Sequence, residues 1–106
     1  MRPLNYPYFK FLGAVETLAT SALPLQKRLE FAHTGFIAVK RDDFDAYPEI
    51  MAAYDDLYEA ITKIKDPDAG YVPATTSRMT DEEAEAAADK LFTLYNLISR
   101  VYHSEE

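Results

Sequence analysis

Apolar residues recur at the 3.6-residue period of an amphipathic helix in four segments of the chain. No segment alternates apolar and polar positions with the β-branched content of a sheet. In the first segment, about residues 7–22, Tyr8, Phe11, Leu12, Val15, Leu18 and Ala19 share a face. Asn5 and Pro7 suit its first turn, where a missing N–H removes no bond. The second, about 24–41, carries Leu25, Leu29, Ala32, Phe36 and Val39, with Lys40 and Arg41 at the end where cations favour the negative helix pole. DDFDAYP then offers aspartates as caps and Pro48 as a first-turn residue for a third helix, about 46–65, on Ile50, Ala53, Leu57, Ile61 and Ile64. The fourth, about 80–103, has the clearest start: Thr80 and Glu83 form a capping box, followed by Ala84, Ala87, Ala88, Leu91, Tyr95, Ile98 and Tyr102.

These segments predict an all-α fold in a single domain over residues 1–106. Short links among the first three favour antiparallel neighbours, so the expected architecture is a four-helix bundle, mainly antiparallel. DPDAGYVPATTSRM, residues 66–79, holds two prolines and a glycine. It reads as a long loop, ordered or semi-ordered, with Tyr71, Val72 and Pro73 covering the core from outside or presenting a recognition surface.

Charge narrows the function classes. The net charge of −7 hides an asymmetry: residues 1–41 carry +4 and residues 42–106 carry −11. The acidic part argues against general nucleic-acid binding, which needs Lys and Arg to displace counterions. A dipolar chain of this kind suits self-association or a charged partner. There is no cysteine, which excludes disulfides, thiolate metal sites and a cysteine nucleophile. No stretch approaches the roughly 18 apolar residues of a membrane span, and the interrupted N-terminus does not read as a signal peptide. A cytoplasmic protein is expected.

Candidate chemistry is sparse. RLEFAH sets Arg28 and His33 at the RxxxxH spacing, which resembles the motif of HEPN-domain ribonucleases, themselves small helical bundles. The resemblance implies metal-independent RNA cleavage at a homodimer cleft, with Arg28 stabilising charge and His33 as general acid or base. On a regular helix the two residues lie about 140° apart and bracket the apolar stripe. Glu30 and His33 spell one ExxH, but a di-iron site needs a second. Neither aspartate cluster has the order of a calcium loop, and no phosphate-binding or nucleophile-elbow motif occurs. No cofactor and no metal are expected.

Aromatic excess says more, with eight tyrosines and six phenylalanines. Tyr47, Met51, Tyr54 and Tyr58 form a second ridge on the third helix, beside its core stripe, with Asp55, Asp56 and Glu59 as a charged rim. Phe31, Gly35 and Ala38 form another on the second, where small residues permit close approach. Tyrosine and methionine are enriched at contact patches. The ridge Tyr47, Met51, Tyr54, Tyr58, with Asp55 and Glu59, is therefore the expected interface of a non-enzymatic interaction module. Such a module would be an adaptor, regulator or inhibitor, pairing with itself as a homodimer or with a protein partner. Alternatives are the HEPN-like ribonuclease using Arg28 and His33, the one reading with a nucleic-acid partner, and an acidic inhibitor that imitates nucleic acid.

Overall fold

The computed structural model describes residues 3–104, which form five α-helices and, among the described residues, no strand. They are α1 (Asn5–Thr20), α2 (Leu25–Phe36), α3 (Pro48–Ile61), α4 (Tyr71–Thr76) and α5 (Asp81–Ser104), with a 3-10 turn at Arg41–Phe44. The all-helical expectation holds, but with five helices where four were expected. No helix of the described residues is long and apolar enough to cross a membrane.

At 24 residues, α5 is the longest element, about 36 Å by its rise, and nearly spans the 39 Å long axis of the molecule. Its start is built as the capping box predicts. The Thr80 N–H donates to Glu83 Oε1 at 2.9 Å, and the Glu83 N–H donates to Thr80 Oγ1 at 3.1 Å. α1, α2 and α3 all pack against this helix. The stripes read from the sequence meet there: Phe11, Phe36, Leu57, Leu91 and Ile98 are fully buried, joined by Leu94 from beside the α5 stripe. Phe11 stacks on Phe36 at 4.4 Å, joining α1 to α2. Tyr8 stacks on Tyr102 at 4.2 Å and ties the start of α1 to the end of α5. Gln26 Nε2 bridges the start of α2 to that of α5, donating to the Met79 carbonyl and to Asp81 Oδ1.

α1 and the start of α3 shift by two residues from the expected bounds, to Asn5–Thr20 and Pro48, and larger departures fall at three places. α2 stops at Phe36 instead of reaching Arg41, and residues 37–47 fold back as a turn around Phe44, whose ring is wholly buried. Burying that ring against α3 outweighs continuing the helix. The aspartates of DDFDAYP serve this turn and not α3: Asp43 Oδ2 accepts the Lys40 N–H at 3.0 Å, while α3 begins at Pro48 with no side-chain cap. α3 ends at Ile61, four residues early, and Ile64 packs half-buried beyond it.

The 66–79 link is the third departure, since it contains α4. Gly70 turns the chain at φ 91°, a conformation that suits a residue without Cβ. Pro73 then sits in the first turn of α4, where its missing N–H removes no helical bond. Thr75 and Thr76 are buried. Thr75 Oγ1 accepts the Ile64 N–H at 2.9 Å, pinning α4 to the chain leaving α3. α4 packs against α2 and α3, the covering position expected for Tyr71, Val72 and Pro73.

Candidate functional site

α4 packs against both α2 and α3, and residues of the three segments line a groove of about 400 Å³. His33 and Tyr58 lie half-buried inside it beside Val72 and Pro73, and the exposed Ile37 and Tyr71 form its lips. Glu30, Thr34 and Thr62 supply its polar atoms. Ile37, just past the end of α2 and off its apolar stripe, stands 58% exposed as a lip. Tyr71, 44% exposed, is held from the other side by Lys65, whose ammonium lies 5.2 Å from the ring centre.

The inner groups are uncharged at neutral pH. The His33 ring stands edge-on to Phe36 at 5.3 Å and to Tyr58 at 5.6 Å. Burial lowers its pKa, since the imidazolium would lose hydration without gaining a partner. Burial also raises the pKa of Tyr58, reinforced by the neighbouring Tyr54, so the phenol keeps its proton. A neutral imidazole, a phenol and two threonine hydroxyls among apolar walls, with Glu30 engaged by Lys27 at 3.6 Å, suit an uncharged or apolar side chain with one or two hydrogen bonds.

Arg28 takes no part in this groove. Its Nη1 donates to the Leu18 carbonyl at 2.6 Å, and its Nε donates to the Leu23 carbonyl at 2.8 Å. Leu18 lies in the last turn of α1, where carbonyls have no helical partner. Arg28 thus closes the C-terminal end of α1 and braces the α1–α2 turn. It faces a hollow lined by α1, α2 and α5 residues, none of which lines the His33 groove. Within this chain the RxxxxH residues occupy separate hollows.

The six residues of the expected tyrosine interface do not share one exposed face. Tyr47, Met51, Tyr54 and Tyr58 are all half-buried and packed against the core. Tyr54 lies 5.5 Å from Phe44 and 4.7 Å from Tyr58, and its hydroxyl donates to the Val39 carbonyl at 3.3 Å. The 37–47 turn covers Tyr54 from within the same chain, while Tyr58 packs on His33 and Phe36 of α2. Asp55 is held by Arg41 through two bonds, Nε to Oδ1 at 2.8 Å and Nη2 to Oδ2 at 3.0 Å, which lowers the pKa of its carboxyl. Glu59 is exposed. Of the six, Tyr58 alone lines the groove.

Ile37 and Gly70 were not singled out from the sequence. Gly70 carries a signal, a glycine before a short apolar stretch, whereas Ile37 becomes visible only once α2 is known to end at Phe36. Glu30 and His33 line the groove together, but among the described residues no group of three or more His, Asp or Glu converges on a metal-sized position. Compared with protein-family models, with curated proteins and with solved structures, the chain matches none.

Proposed function

We propose that the protein is a small helical protein-interaction module that pairs with a second copy of itself through the outer face of α2 and the adjoining groove. The observation that carries this reading is a run of exposed apolar positions on α2 and just past its end. Phe31 and Ile37 are 47% and 58% exposed, Ala38 is exposed, and all three fall within an arc of about 120° together with Thr34. Gly35 borders the arc, and a Cβ placed there would meet no atom within 4 Å. A second backbone can approach closely at such a position.

A two-fold contact is self-complementary, so each copy must offer both a knob and a recess. Here the knobs are Phe31 and Ile37, and the recess is the groove over His33 and Tyr58. Apart from Glu30, which Lys27 meets at 3.6 Å, the lining is uncharged and favours an apolar knob over a charged one. This relocates the interface expected on the α3 tyrosine ridge to α2 and α4, with Tyr58 shared.

Mass by light scattering over a concentration series tests the reading directly. The wild type is expected to form a concentration-dependent dimer, and Ile37→Asp to remain monomeric with its helical spectrum intact. A wild type that stays monomeric throughout the series, or an Ile37→Asp dimer of unchanged strength, overturns it. RNA cleavage by the wild type that is lost in His33→Ala would move the assignment to the ribonuclease reading.

A further inference from the structure

A second hollow, of about 300 Å³, opens between α3 and α5 and is closed at one end by the α4–α5 link. It has a different chemistry from the groove. Residues 42–106 carry sixteen acidic and only five basic side chains, yet three of those five, Lys63, Arg78 and Lys90, line this hollow. Cations gathered in the most acidic part of the chain are not explained by composition.

Their local partners leave a definite charge over. Lys90 is answered by Asp56, with Nζ 2.8 Å from Oδ2. Glu83 also lines the hollow, but its carboxylate is held by the Thr80 N–H in the cap of α5. Lys63 and Arg78 are exposed, and among the described residues neither has a carboxylate within ion-pair distance. Lys63, whose charge also acts on Glu83, and Arg78 stand against that one carboxylate, which leaves the hollow one positive charge in excess. Between the charges the lining is small and apolar: Ala60 on α3 and Ala86 and Ala87 on α5 leave the space open.

We infer that this hollow binds a monoanionic carboxylate carrying a short apolar body. The guanidinium of Arg78 presents a planar fork that matches a carboxylate through two parallel bonds, with Lys63 as a second point charge. The alanine surface takes up the apolar chain. A single negative charge neutralises the excess, whereas a phosphate dianion would overfill it against Glu83. The volume lies at the small end of ligand pockets, which sets the body at a few carbons.

The test uses hexanoate as the probe, titrated into ¹⁵N-labelled full-length protein and followed by amide shifts, with hexanamide and inorganic phosphate as separate arms. Saturable shifts at Ala60, Ala86 and Ala87 with hexanoate are expected, with much weaker responses to the other two. The double variant Lys63→Gln/Arg78→Gln removes only exposed side chains and is expected to bind about tenfold more weakly or less, the loss of a charge-assisted pair. Ala86→Leu fills the hollow without changing its charge and is expected to weaken binding comparably. Absence of saturable shifts, hexanamide or phosphate matching hexanoate, or unchanged affinity in the double variant each overturns the assignment.

Discussion

Replacing Arg28 by glutamine separates a structural role from a chemical one. In the structure the guanidinium donates to two carbonyls on different elements, Leu18 near the end of α1 and Leu23 in the link to α2. A hydrogen bond from a charged donor contributes about 1.5–3 kcal/mol when sheltered. The Leu23 bond is exposed and the Leu18 bond only partly buried, and water can replace the lost donor at both. The pair is therefore worth about 1–2 kcal/mol, after the discount that exposure demands. In a chain of this size about 1 kcal/mol moves the melting temperature by roughly 4–8 °C, so Arg28→Gln should melt roughly 4–16 °C below the wild type. Arg28→Lys, whose single ammonium can reach one carbonyl at a time, should recover part of the difference. Thermal unfolding followed by far-ultraviolet circular dichroism reads both. An Arg28→Gln melting point within about 1 °C of the wild type would refute the brace, and would return the guanidinium to the list of groups free for other work.

Protonation of His33 should destabilise the fold. Its folded pKa is lowered by burial below the ordinary value of about 6.5, so as the pH falls past that value the unfolded chain takes up the proton first. Between pH 7.5 and 5.5 the urea midpoint of the wild type should therefore drop further than that of His33→Gln; equal drops would contradict the burial argument. Gly70→Ala forces a side chain into φ 91° with its Cβ 3.3 Å from Pro73 Cδ, and should cost about 1–2 kcal/mol by urea unfolding. A neutral result would mean that α4 is not fixed by this turn. Thr75→Val keeps the shape but leaves the Ile64 N–H without its acceptor, a loss of about 1–2 kcal/mol that Thr75→Ser should largely restore.

Much of the architecture was legible because long helices repeat their stripe. The core of α3 follows its stripe closely, while Ala14 on α1 and Leu94 on α5 are buried beside theirs and Ala19 is exposed; the Thr80–Glu83 box marks the start of α5 to the residue. What escaped the reading is local and short. α4 is six residues long, too few for a 3.6-residue period to show, and its YVPATT sequence combines β-branched residues with a proline. Its stability comes from Thr75, Thr76 and Val72 being buried against distant helices, which no local pattern records. The end of α2 was misplaced for a related reason. Val39 fits the stripe by spacing and is buried, but it reaches the core from the turn and not from the helix. That one boundary moved the candidate site. With α2 ending at Phe36, Phe44 folds back onto Tyr54, and Ile37, off the stripe, stands as the exposed lip of a groove.

α5 packs against α1, α2 and α3, and it is also the last of the five helices to leave the ribosome. The α1–α2 hairpin is close in sequence and can pair early, bringing Phe11 onto Phe36 while synthesis continues. The apolar stripes of α1 and α3 must nevertheless wait for residues 84–98 before the common core can close. A ribosome stalled before Leu91 would therefore hold a nascent chain with its two aromatic-rich helices paired and its main hydrophobic surface still open. Such a chain is a substrate for chaperones until the final two turns of α5 bring Tyr102 onto Tyr8.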